Sequence, residues 1–477
     1  MILTGRLALG AGRVLLALLA CYAVVTMPSL IARWGVSAAG AGLLGCWLAL
    51  AALAWPIAGG ALRGRMFWAV LVVVAAALRI GIVPLVLQHQ PIGDPLIYRQ
   101  LAASLLAGNG LIVHDAAMAI DFHALFPPAY PLLLAGIGAT AGLSVMAICV
   151  SNILIDCLTA VLIVRLGERL GEGEAGRAAA WLFAIWPGFV LAAPFAQKES
   201  LMLLLVLAVV LALFGMRDRP REGWGDALAL GLPSALLALT QPGLAVFPAA
   251  LGLVLVDRVG WRRLASYGAR AGLVAVAVMA PWWVRNGIVF HHFVPLTSTG
   301  GLSLWIGNNP QATGNWMPLP TMLHGLPELE ASVRAGAMAV GWITSHPLDF
   351  VRLSATKLVR AGGIEQFALV RFEGLAPALL ATVYSTLLPL LQITLLLLLA
   401  GAGAAIGPVR RMAGGPWLLR LLLGCALQIF GLGLWFEFGE RHRYFAMPLL
   451  LLAVGYGLVA IRRMVDRPAG GAQFAAA

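Results

Sequence analysis

"FPPAYPLLLAGIGATAGL", residues 126–143, decides how the rest of the chain is threaded. It is apolar but looks like half a span, since a full crossing takes about 20 apolar residues. If it crossed, every later basic loop would change sides. The basic segments are "RGR" (63–65), "RLGERLGEGEAGR" (165–177), "MRDRPREG" (216–223), "DRVGWRR" (257–263), "GPVRRM" (407–412) and "IRRMVDR" (461–467). With Arg6, Arg13, Arg270 and Arg420 they hold about 20 of the 32 Lys and Arg, and the positive-inside rule gathers such a set in the cytoplasm. That grouping survives only if 126–143 stays outside. It is therefore read as a re-entrant or interfacial helix opened by Pro127 and Pro128.

The 477-residue chain is 61% hydrophobic and 11% charged, with a mean hydropathy of +0.92. Soluble domains carry about 25% charged residues, so this chain cannot solvate an ordinary surface. Its apolar stretches are continuous rather than alternating, which excludes a β-barrel. The fold class is an all-α polytopic membrane protein of about 12 spans. They run over 14–32, 38–61, 66–87, 145–165, 175–194, 199–216, 226–240, 243–256, 268–285, 377–407, 416–435 and 444–461. The first is followed by Arg33-Trp34 and a second span rather than a cleavage site, so it reads as a span. Residues 227–256 have cytoplasmic flanks at both ends and form a hairpin of two short helices, turning at Thr240-Gln241-Pro242-Gly243. Cys21, Cys46, Cys149, Cys157 and Cys425 all lie in apolar stretches without a CxxC pair and read as small buried hydrophobes.

Both termini then lie inside. The segments left outside are 88–144, 196–200, 286–376 and 437–444. Their basic and acidic residues nearly balance, so the net charge of +12 is a topology signal and no nucleic acid is implied. These segments are also the ones long enough to build a site. Asp94-Pro95 reads as a helix start, with Asp as N-cap and Pro first in the helix. A capped carboxylate fixed at the membrane surface is also a good base. His114, Asp115, Asp121 and His123 crowd together, but their spacing matches no standard metal site. No metal site or cofactor is assigned, and a divalent ion stays open. Residues 348–363 set Leu348, Val351, Leu358 and Val359 against Arg352, Lys357 and Arg360, an amphipathic helix lying on the membrane.

Several outer stretches, in order, resemble one family. They are an outside Asp94 with Tyr98 four residues on, "FPPAYPLLLA", "RLGERLGEGEAGRAAAWLFAIWPGFVLAAPFAQKES", "PWWVRNGIVF", "VPLTSTGGLSLWIGNNPQATGNW" and "ERHRYFAMPLLLLAVGYGL". The ordered set is similar to GT-C glycosyltransferases, in particular the protein O-mannosyltransferase-like and aminoarabinose-transferase-like enzymes of bacterial inner membranes. It covers roughly residues 66–465 and leaves out the two N-terminal spans. The resemblance implies a GT-C-like bundle with interfacial helices and a periplasmic loop region. The expected units are 1–65, an extra helix pair; 66–285, the core with the first outer loop 88–144; 286–376, the outer segment; 377–465, the last helices; and 466–477, a cytoplasmic tail.

The resemblance further implies transfer of a sugar from a polyprenyl-phosphate donor to a lipid, glycan or protein acceptor on the outer face, among membrane lipids. Asp94 stands where the family has its base, with Glu199 as the second acidic group. The reaction also needs fixed positive charge beside the phosphate. Lys198, Arg285, Arg441 and Arg443 could supply it, with Tyr98, Asn308, Asn309 and His442 as further substrate contacts. Gln241 before Pro242 departs from the family, where an Arg is common. An O-antigen ligase or polysaccharide polymerase of the same fold is the first alternative. A lipid-linked glycan flippase or transporter is the second; it calls for ionisable residues within spans, where Asp156 alone stands out.

Overall fold

The computed structural model describes residues 2–87, 91–218 and 223–466. The expected tail from 467 and residues 219–222 of one basic loop lie outside the described residues. Among the described residues, ten helices are long and apolar enough to cross a membrane, and they coincide with ten of the expected spans. The other two take different forms. Residues 226–240 become a shorter apolar helix, Trp224–Ala238. Residues 175–194 split into Gly173–Ala184 and Pro187–Ala192, because Pro187 has no N–H with which to continue a helix. The expected hairpin turn lies between Ala238 and Phe247, with a single 3-10 turn at Pro242–Leu244.

The split helix is the centre of the molecule, and residues 178–197 are all buried. Small residues let its neighbours close in. A Cβ on Gly167 would lie 2.6 Å from the Gly176 Cα, and one on Gly455 would lie 2.3 Å from the Ala175 carbonyl oxygen. The Trp181 and Trp47 indoles donate to the Leu50 and Ile185 carbonyls at 2.8 and 3.0 Å, which ties helix Ala38–Ala52 to this core. Cys149 and Cys425 are buried as expected, whereas Cys21 and Cys46 sit on outward helix faces.

Asp156 also has a partner, one the sequence reading passes over. Arg79, on Gly64–Val86, meets it at 2.9 Å and donates to the Ala184 carbonyl at 2.7 Å. Both side chains are buried. An ion in this setting must be paired, and the pair cross-links three helices.

The outer layer begins with helix Asp94–Leu106. An unexpected antiparallel hairpin follows, Val113–Asp115 against Ile120–Phe122, with His114 opposite Asp121. Helix Ala129–Ala141 then has 13 residues, about 20 Å of rise against a hydrocarbon core of about 30 Å. It is too short to span. The Glu328 carboxylate, on helix Glu328–Ser345, accepts the His123 and Ala124 backbone N–H groups at 2.8 and 3.0 Å and the Ser298 hydroxyl. The two long outer segments are thereby one layer at one end of the bundle.

Helix Pro347–Gly363 exposes Leu348 and Val351, 72% and 62% accessible, as an amphipathic helix should. Lys357 is a correction: it points inward and is fully buried, its Nζ donating to Asn308 Oδ1 at 3.0 Å and the Leu434 carbonyl at 2.8 Å. The N-terminal pair packs along Pro377–Arg411, where Leu19 meets Leu395 and Leu399, and Ser37 bonds Thr386 at 2.9 Å.

Removing one member of the buried pair should leave the other uncompensated. Asp156→Ala is expected to cost about 3–5 kcal/mol of stability, read as a lowered Tm of purified protein in detergent. Arg79→Leu combined with Asp156→Leu should recover most of it. A wild-type Tm in Asp156→Ala would show that the pair does not brace the core.

Candidate active site

Charged side chains from four segments gather at the end of the bundle that carries helix Asp94–Leu106. Asp94 is the first helical residue of Asp94–Leu106, and Gly93 takes the cap position with φ +62°, a conformation glycine adopts without strain. The expected N-cap role of Asp94 is therefore corrected. Its carboxylate makes no cap bond to the helix; it forms a hydrogen-bonded ion pair with Arg441, from the "ERHRY" turn. The two side chains are 22% and 20% accessible, so the pair stays open to a ligand. The Arg441 guanidinium also lies 5.2 Å from the centre of the Phe367 ring.

Lys198 comes from the turn before Glu199–Asp218 and lies 5.5 Å from the Phe126 ring centre. Burial pulls its pKa below the ordinary value, and Arg441 adds to that. Burial raises the Asp94 carboxyl, but Arg441 and Lys198 outweigh it and hold the group below the usual carboxylate range. Glu437 faces the same two cations. Burial raises it, and beside Asp94 it stays above its ordinary value in spite of Arg441 and Lys198. Two carboxyl groups with their pKa values pushed apart thus share one Arg and one Lys.

Behind this charged front lies a ring cluster. Tyr98, one turn after Asp94, stacks on Phe126 at 4.5 Å and meets Tyr130 edge-on at 4.9 Å. Glu199 is buried close by, and its charge acts on both tyrosines and on Lys198. Arg371, also buried, donates from Nε to Gln197 Oε1 at 2.7 Å and lies over Phe367 at 4.8 Å.

Other expected site residues are engaged elsewhere. Arg443 is buried and donates to Glu365 and to the Ala361 and Ile364 carbonyls. Arg285 packs on the Trp282 ring and donates to Asn286 Oδ1 at 3.0 Å and the Leu111 carbonyl at 3.2 Å. Asn308 donates to the Leu304 and Trp435 carbonyls and accepts from Lys357. Asn309 donates to the Trp305 carbonyl and accepts from the Gln311 N–H. Most of their hydrogen-bonding groups are engaged within the fold, although Arg443 Nε is buried without a partner. His442 accepts the Gly439 N–H at 3.0 Å and stacks on Phe438, bracing the turn that carries Arg441. His114 pairs with Asp121 across the hairpin, Asp115 caps its turn, and His123 faces Glu328. Among the described residues no three His, Cys, Asp or Glu side chains converge as metal ligands.

Glu437, Arg371 and Tyr130 are the residues that sequence reasoning missed. Tyr130 stands in the quoted "FPPAYP", and Glu437 lies just before "ERHRY". Both carried a signal. Arg371 carried none, being one of several basic residues in a long outer segment.

The family model described as dolichyl-phosphate-mannose-protein mannosyltransferase matches residues 126–284. No curated protein matches the chain. Among solved structures, the oligosaccharyltransferase of Archaeoglobus fulgidus, in complex with zinc and sulfate, is 16% identical at a TM-score of 0.51, over 84% of this chain and 49% of that one. A second structure of it, with an inhibitory peptide and a dolichol-phosphate, is 13% identical at 0.49, over 84% and 50%. ArnT from Cupriavidus metallidurans, bound to undecaprenyl phosphate, is 15% identical at 0.40, over 84% and 79%. The chain spans about half the length of the oligosaccharyltransferase structures it matches. Its fold is similar to that of the oligosaccharyltransferase, and residues 126–284 match the mannosyltransferase family model, in line with the resemblance in its sequence.

Proposed function

We propose that the protein is a membrane glycosyltransferase that moves a sugar from a polyprenyl-phosphate carrier to an acceptor hydroxyl, on the periplasmic face of a bacterial inner membrane. The observation that carries this reading is the partly open Asp94–Arg441 pair with Lys198 beside it. The family match at 126–284 adds the lipid-phosphate-linked sugar as the donor class. The pairing of Asp156 with Arg79 weighs against transport, since the mid-span carboxylate faces a cation rather than a pathway.

In this reaction Asp94 takes the proton of the acceptor hydroxyl as its oxygen bonds to the anomeric carbon. The bond from that carbon to the phosphate oxygen breaks, and the carrier leaves as a phosphate anion that needs no acid. Arg441 and Lys198 neutralise the charge growing on it. Asp94 paired with Arg441 is a weak base, and the donor itself corrects this. An arriving phosphate draws Arg441 and Lys198 toward itself and adds negative charge, and both effects raise the Asp94 pKa. The donor then binds before the acceptor hydroxyl is activated. Glu437 is the competing base, because it faces the same cations with a raised pKa.

Asp94→Asn keeps the helix start, because Gly93 holds the cap, and it cannot accept the proton. Transfer by purified protein should fall about 10²–10⁴-fold with the Tm retained. Glu437→Gln should fall less. The reverse ranking would move the base to Glu437.

The two arginines of "ERHRY" should separate. Arg441→Ala is expected to lower kcat/KM by about 2–4 kcal/mol in a protein of wild-type stability. Arg443→Ala should lower the Tm, because it strands Glu365. Equal effects of both on both quantities would deny Arg441 its special place.

The pH profile should also split. The carboxylate must be ionised to act, so the rate falls as pH drops through its pKa. That pKa is depressed in the free enzyme and rises with donor bound. The acid limb of kcat should therefore lie at higher pH than that of kcat/KM. Coincident limbs would contradict release of Asp94 by the donor.

A further inference from the structure

We infer that Tyr98, Tyr130 and Glu199 form a subsite that reads one hydroxyl group of the donor sugar. This inference rests on the transferase reading above and names its sugar class: a sugar with a free hydroxyl, not deoxygenated, at the position facing these residues.

Three polar atoms carry the inference. The Tyr98 hydroxyl, the Tyr130 hydroxyl and Glu199 Oε2 are all buried without a hydrogen-bond partner. The backbone N–H of Gln197 lies near the Tyr130 oxygen without closing a bond of normal geometry, and it leaves the phenol proton unclaimed. Buried polar groups in folded proteins are nearly always paired, and each unpaired one destabilises the fold that holds it. Three in one cluster, at the site of chemistry, call for a ligand that pairs them all. The tyrosine rings touch, and the Glu199 charge acts on both.

The numbers of donors and acceptors name that ligand group. A hydroxyl has one proton to give and two lone pairs to receive. One carboxylate oxygen and two phenols saturate it. The position is right for a sugar. Tyr98 follows Asp94 by one turn on the same helix face, about 6 Å along its axis, so the reader lies behind the base.

The test uses the full chain in detergent. Polyprenyl-phosphate hexose, its four mono-deoxy analogues at C2, C3, C4 and C6, and polyprenyl phosphate without sugar are compared for binding and, where turned over, for kcat/KM. One deoxy position should lose roughly 100-fold or more while the others change by less than about threefold. Tyr98→Phe, Tyr130→Phe and Glu199→Gln should each weaken that discrimination, and the two Phe variants should leave the binding of sugar-free polyprenyl phosphate unchanged. The two Phe variants should melt at or above the wild-type temperature, because neither hydroxyl has a partner to lose. An even response to all four deoxy donors, which an ordered water alone in the subsite would also give, overturns the inference while the transferase reading stands. So does a large fall in Tm in the Phe variants, which would mark the hydroxyls as structural. Binding of no lipid phosphate at all would overturn both readings.

Discussion

A buried carboxylate holds the site end of the bundle together. Glu365 is fully buried and receives Arg443 and the Tyr444 hydroxyl, while Arg443 also donates to the Ala361 and Ile364 carbonyls. Glu440 clamps the same stretch from the other side by accepting the Gln366 and Phe367 N–H groups, each at 2.6 Å. An ion pair with this many supplementary hydrogen bonds can repay its desolvation, and half of it cannot. The turn at Glu440–Ala446 is thereby locked to the chain between the amphipathic helix and Pro377. Arg441 comes from this turn, so its place opposite Asp94 depends on the Arg443–Glu365 pair.

The support runs further. Gln392, buried in the helix Pro377–Arg411, accepts the Glu365 N–H and donates to the Gly363 carbonyl. The N-terminal helix packs on that same helix, and Gly362 and Gly363 sit so close to Leu19 and Tyr22 that an added Cβ would come within 3 Å of each. The N-terminal pair, which lies outside the family resemblance, is therefore a brace behind the site. On the other side, Lys357 reaches Asn308 and the Leu434 carbonyl without a counter-ion, and burial brings its pKa down to about 7. The amphipathic helix that reads as lying on the membrane is thus pinned through its C-terminal half to the segments that present Arg441 and Glu437.

Span positions were legible because about 20 continuous apolar residues are hard to use in any other way. Sidedness rested on charge counting, and the short 126–143 helix was legible through its length and its two prolines. The Trp186-Pro187 break went unread, because the apolar run around it reads as one span and hydropathy does not register a lost N–H. In the site, Asp94, Lys198, Glu199 and Arg441 were visible because charge at the lip of a span stands out against an apolar chain. Partners were not. Nothing local separates Arg441 from Arg443: they are two residues apart, and only the tertiary position of Glu365 sends one inward. Asn308 and Asn309 show the same limit, because a polar pair in a loop reads as substrate-binding until its carbonyl partners are known. Arg79 was hidden by the apolar run around it, although a lone Asp156 in a neighbouring span implied a cation nearby.

The contrast between the two arginines also bears on what a phosphate site requires. A cation can take an incoming phosphate only if its resident partner is exchangeable. Arg443 binds a fully buried carboxylate and two main-chain carbonyls, so moving it would strand three acceptors with no access to water. Arg285 is held by a main-chain carbonyl, the Asn286 side chain and an aromatic face. Arg441 has one carboxylate partner, partly open to solvent, and a ring beneath it that keeps the guanidinium plane in place while the partner changes. The carboxylate it would release is the group that then needs a higher pKa. In the proposed reaction, ligand exchange at Arg441 and activation of Asp94 are accordingly one event, and the side chain best placed to hold the leaving phosphate is the one that would keep the base quiet until the donor is bound.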